Sequence, residues 1–144
     1  MKNKILAIDE VTGITLNTIK HYTFSGYKIT LEGDYCRPEC TEIFIVIEDG
    51  QSSGEEFGYL TTNDDLSEYI GCTVKSLNAV DVVNGKYLKN TVLPCGVHRS
   101  EAVFVNIEVY GNTPLQFAVY NSHNGFYGHQ VVISSEHLYH YEVL

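Results

Sequence analysis

Short runs in which β-branched and aromatic residues alternate with polar ones recur along most of the chain, and this period of two restricts the fold more than any other feature. The runs are 14–19, 27–31, 41–47, 58–61, 73–82, 102–109, 115–120, 127–133 and 138–143. Between them stand turn formers: Ser25-Gly26, Asp49-Gly50, Asn84-Gly85, Gly111-Asn112 and Asn124-Gly125. The pattern predicts a mainly β fold of about 8–9 antiparallel strands, as a single sheet, a sandwich or a partly open barrel. Asn-Gly accepts the positive φ that a type I′ turn demands at both central positions. Two-residue hairpins are therefore expected at Asn84-Gly85 and at Asn124-Gly125, the latter between 117–121 and 126–133.

One short helix is expected near residues 64–70. Asn63 would cap it, with Asp64 and Asp65 in the first turn. Leu66, Tyr69 and Ile70 would share one face before Gly71 ends it. The remainder shows no 3.6-residue period, repeat or low-complexity tract, and 144 residues suit one domain, 1–144. No apolar run approaches the length of a membrane helix, so no membrane role is expected. The first ten residues bring acids too early for a secretory signal. The expected compartment is the cytoplasm, with Cys36, Cys40, Cys72 and Cys95 as thiols.

Charge is unevenly placed along the chain. Eleven of the 18 acids fall between Glu32 and Glu68, where Arg37 is the only base. Such a segment repels phosphate backbones, which disfavours direct nucleic-acid binding, and it attracts a partner protein with a basic surface. Asp34, Glu39 and Glu42 are its candidate contact residues, weighed against an acidic face that serves solubility alone.

Three constellations bear on chemistry. Cys36 and Cys40, with Cys95 and His98, offer a tetrahedral zinc set, although Pro38 restricts the first loop. His123 and His129 flank the Asn124-Gly125 turn and would lie opposite one another across a hairpin, within reach of one ligand. His137 and His140, three apart, would point to opposite faces of a strand. Tyrosines and phenylalanines number 11 and 6. Tyr120, His123, Asn124, Tyr127 and His129 gather about one turn rich in amide and hydroxyl groups, a composition suited to a contact surface and equally to strand packing. No nucleophile elbow surrounds Cys95 or Ser122, and no phosphate-cradling glycine loop precedes a helix. Neither catalysis nor a cofactor is expected.

Gly33-Asp34-Tyr35-Cys36, Ile70-Gly71-Cys72-Thr73-Val74-Lys75-Ser76-Leu77 and Phe104-Val105-Asn106-Ile107, running on to Tyr120-Asn121-Ser122-His123-Asn124-Gly125-Phe126-Tyr127-Gly128, resemble a family of small proteins from phages and their bacterial hosts. That family carries a Gly-Asp-Cys-Cys-Ser turn and a terminal Asn-Ser-Ser-Asn-Gly-Tyr-Tyr-Gly hairpin. The likeness spans about residues 14–134; this sequence departs from it at Tyr35 and at Arg37-Pro38. The resemblance implies a small, mostly β fold and a phage setting, and it transfers no activity.

The functional expectation is a non-enzymatic binding protein, an inhibitor of a host defence component acting through an acidic or tyrosine-rich surface. Two alternatives stand beside it: a sequestering module for a nucleotide-derived small molecule, and a zinc-stabilised structural protein. An open strand edge would allow a homodimer.

Overall fold

The computed structural model describes residues 3–17, 19–33, 39–50, 56–61, 63, 65–81, 102–122, 128–135 and 139–144. Among these, nine strands make two antiparallel sheets. One holds β1 (Ile5–Leu16), β2 (Ile19–Leu31), β3 (Thr41–Glu48), β8 (Gln130–Ser134) and β9 (Tyr139–Val143), in the order β1-β2-β3-β8-β9. The other holds β4 (Glu56–Thr61), β5 (Val74–Asp81), β6 (Ala102–Val109) and β7 (Leu115–Ser122), in the order β4-β7-β6-β5. The period-two reading is borne out as a two-sheet sandwich, not a closed barrel.

Alternation decides which side chains meet. Ile29, Ile43, Ile45, Ile47, Val131 and Ile133 of the first sheet pack against Val103, Val105, Ile107, Leu115, Phe117 and Val119 of the second. Tyr27 lies in this layer, edge-on to Tyr59 at 5.2 Å and tilted against Phe117 at 4.8 Å. Burial, with Glu10 and Tyr59 adding to it, pushes the Tyr27 phenol up to about 12. The outer face of the first sheet has its own apolar cluster of Leu16, Phe24, Val46 and Val132. β1 and β2 are long enough to reach it, since they pair with each other well beyond the end of β3, which stops opposite Phe24.

Several local expectations change. Residues 14–19 are not one strand: the chain reverses between Leu16 and Ile19, which pair with each other. Ser25-Gly26 is not a turn. Gly26 sits inside β2 at φ +156, and a Cβ there would lie 2.1 Å from the Ile45 carbonyl oxygen, so the glycine serves a close approach of β2 to β3. The helix near 64–70 is a single 3-10 turn, Leu66–Tyr69, capped by Asp65, whose carboxylate accepts from the Ser67 amide. Asn63 instead clamps the loop to β7: its Oδ1 accepts from Gln116 N at 2.9 Å, and its Nδ2 donates to the Tyr69 hydroxyl and the Pro114 carbonyl. Tyr69 is buried, whereas Ile70 is exposed instead of joining its face.

The hairpin expected about Asn124-Gly125 is also replaced. β7 and β8 belong to different sheets, so the segment between them links the two layers. Inner residues of β7 and β8 join the same core between the two sheets, an attraction that local turn chemistry does not reveal. Asn84-Gly85 lies outside the described residues.

A cleft at the Glu42 end of the sandwich

β8 stops at Ser134, opposite Phe44, while β3 runs on toward Thr41. Thr41, Glu42 and Ile43 thus extend past their neighbour, and β5 passes on the opposite side. The result is a cleft of about 280 Å³ lined by Asn3, Leu31, Thr41, Glu42, Ile43, Val74, Lys75, Ser76, Leu77 and Ser135. Leu31, Ile43 and Val74 are buried and give it an apolar floor. Glu42 is exposed, and Asn3, Thr41, Ser76 and Ser135 add polar residues to the lining. Apolar walls with a few placed polar groups are the usual make-up of a small binding site.

Lys75 owes its position to an irregularity. Val74 pairs with Val109 and Ser76 with Glu108, so Lys75 is the extra residue of a β-bulge. Its ammonium stands 5.9 Å from the centre of the exposed Tyr110 ring. Ser76 Oγ donates to Glu108 at 3.2 Å, which fixes that hydroxyl at the sheet edge.

The acidic window of the sequence divides between the two ends of the sandwich. Glu32 directly follows the cleft residue Leu31, Glu39 stands two residues before Thr41 in the chain, and both are exposed, as is Glu42. Glu48 and Asp49 lie at the far end of β3, roughly 20 Å away at the rise of a strand. The Glu48 side chain is buried and accepts from the Gln130 amide at 3.2 Å. Asp49 accepts from Gly13 N at 3.1 Å, from Thr23 Oγ1 at 2.5 Å and from Ser25 Oγ. Burial raises its carboxyl, yet these donors outweigh burial and leave it below the ordinary value. Lys4 and Lys75, which lie outside the acidic window, join the Glu42 end, so the field there is mixed in sign.

The aromatic candidates separate as well. His129 is fully buried and is part of the core rather than of a contact face. Its ring stacks on Phe57 with centroids 4.1 Å apart, and Nδ1 lies 2.6 Å from the Glu48 carbonyl oxygen. Asn121 stands beside it and donates to the Leu144 carbonyl at 2.8 Å. Tyr120 is half-buried on the outer face of the second sheet, where it packs beside Leu60 and Phe104. Burial, then the charge of Glu56, raises its phenol.

Asp34, His123, Asn124 and Tyr127 lie outside the described residues, as do Cys36, Cys95 and His98. Of the zinc candidates only Cys40 is described, as an exposed free thiol. Among the described residues no group of three metal-ligating side chains converges, and no helix is long and apolar enough to cross a membrane. Comparison with protein-family models, with curated proteins and with solved structures finds no match.

Proposed function

We propose that this chain is a non-enzymatic binding protein that receives a basic segment of a partner protein at the Glu42 end of the sandwich. The observation that carries the reading is the cleft itself: an apolar floor of Leu31, Ile43 and Val74 with the exposed Glu42 among its lining residues, and the exposed Glu32 directly after Leu31 in the chain. A lysine or arginine lays its methylene stem along such a floor and brings its charged head to Glu42. Lys75 repels a second cation, which limits where a basic segment can enter. An inhibitor of a host defence component with a basic surface is the specific form suggested by the phage-like motifs.

Pull-down from a bacterial host lysate at low salt tests this. Wild type is expected to recover one stoichiometric protein, and Glu42→Lys with Glu39→Lys to lose it, with raised salt weakening the capture. Equal capture by wild type and the reversed variant would count against the reading.

The second reading is a nucleotide-derived small molecule, favoured by Lys75 and the polar residues Thr41 and Ser135 among those lining the same cleft. A thermal-shift panel of cyclic nucleotides and ADP-ribose separates the two. A ligand at a hundred times its Kd adds about 2.7 kcal/mol, and no shift across the panel removes this reading.

A further inference from the structure

β9 ends the five-stranded sheet, and among the described residues no strand pairs with its outer edge. Its ladder with β8 shows which backbone groups that edge presents. His129 and Leu144 exchange both bonds, His129 N to Leu144 O at 2.9 Å and Leu144 N to His129 O at 3.0 Å. Hydrogen-bonded and non-bonded pairs alternate along an antiparallel ladder, and the register sets Val131 opposite Glu142 and Ile133 opposite His140. Those two pairs are therefore the bonded ones. The N–H and C=O groups of Tyr139, Tyr141 and Val143 point outward.

The side chains alternate in step. His140 and Glu142 share the inner face with Ile133 and Val131, and His140 Nε2 lies 3.7 Å from Glu142 Oε2. Tyr141 and Val143 are on the outer face, both exposed. An edge with charged groups turned inward rejects most incoming strands and accepts one that answers the charges.

We propose that two copies of this chain pair through β9 as antiparallel strands centred on Tyr141. In this register Tyr141 meets its counterpart and Tyr139 meets Val143, both as bonded pairs, giving roughly six new backbone bonds. His140 then stands opposite Glu142 of the second copy, twice over by symmetry, at the non-bonded positions where cross-strand side chains are closest. The match holds for either form of histidine, since a neutral imidazole N–H also donates to a carboxylate. Sliding two residues one way sets His140 against His140, and sliding the other way sets Glu142 against Glu142. Both lose a bonded pair and the charge match, so one register stands out. The contact is isologous and closes as a dimer.

Sedimentation velocity over a concentration series of the whole chain tests the proposal, with circular dichroism confirming that each variant keeps its sheet. Wild type is expected to be a dimer at tens of micromolar. His140→Glu, which sets like charges opposite one another, should weaken the dimer about tenfold or more. The double variant His140→Glu with Glu142→His restores the match and should return the dimer to near wild-type strength. Tyr141→Pro removes an outward N–H without touching the β8 ladder and should give monomer. A monomeric wild type overturns the proposal; so does a dimer unaffected by Tyr141→Pro, or a double variant no stronger than His140→Glu. Should His140→Glu unfold, the Tyr141→Pro result decides alone.

Discussion

The imidazole of His129 lies flat against the ring of Phe57, planes 27° apart, and so joins the start of β8 in one sheet to β4 in the other. Its Nδ1 is simultaneously tied to the Glu48 carbonyl oxygen, at the end of β3. His129→Ala should therefore lower stability by roughly 2–4 kcal/mol, through lost packing and an unanswered carbonyl. His129→Phe keeps the stack and should cost about 1–2 kcal/mol for the lost bond. Urea unfolding measures both.

Asp49 ties three donors from the β1–β2 ribbon to the end of β3. Asp49→Asn should cost about 1–2 kcal/mol, discounted for solvent screening at a half-buried site. Because the folded carboxyl is held below its ordinary value of 3.8, its contribution is present above that pH and fades as the pH falls through the folded value. Wild type should thus lose part of its advantage over Asp49→Asn below about pH 4. Acid unfolding curves of the two proteins that stay equally far apart at every pH would contradict this.

Gly26→Ala should destabilise by about 3 kcal/mol or more, since the methyl would enter the Ile45 carbonyl and the backbone would be strained as well. Gly13→Ala meets no neighbour and carries only the strain of φ +62, about 1–2 kcal/mol. The difference between the two variants isolates the steric part.

Asn106 is buried on the outer face of β6, and neither atom of its amide has a hydrogen-bond partner. Asn106→Val removes that desolvation and suits a strand, so stability should rise by about 1–2 kcal/mol. A lower urea midpoint would contradict this.

Strand positions were legible wherever alternation met a clean boundary. The run at 102–109 coincides with β6, Ala102–Val109, because valines and Ile107 turn inward while Phe104 and Asn106 turn outward. Partnership was less legible. Asn124-Gly125 advertises a turn but says nothing of which strand follows it into which sheet. Gly26 looked like a turn because a close approach between strands and a chain reversal both call for glycine. For the cleft, Glu42 could be found from charge alone, as one exposed acid of the window. Lys75 could not: a bulge shows no composition signal, and its place in the same cleft as Glu42 depends on β3 and β5 coming together from different sheets. The acidic window likewise misled by proximity in sequence, since the length of β3 carries Glu48 and Asp49 away from Glu42.

The three-residue overhang of β3 beyond Ser134 sets a trade between cohesion and access. A β8 lengthened to reach Thr41 would zip the backbone shut along β3, adding ladder bonds on the side where Glu42 now meets solvent. Such a protein would unfold later and recognise less, so the premature end of one short ribbon is what leaves this molecule a mouth.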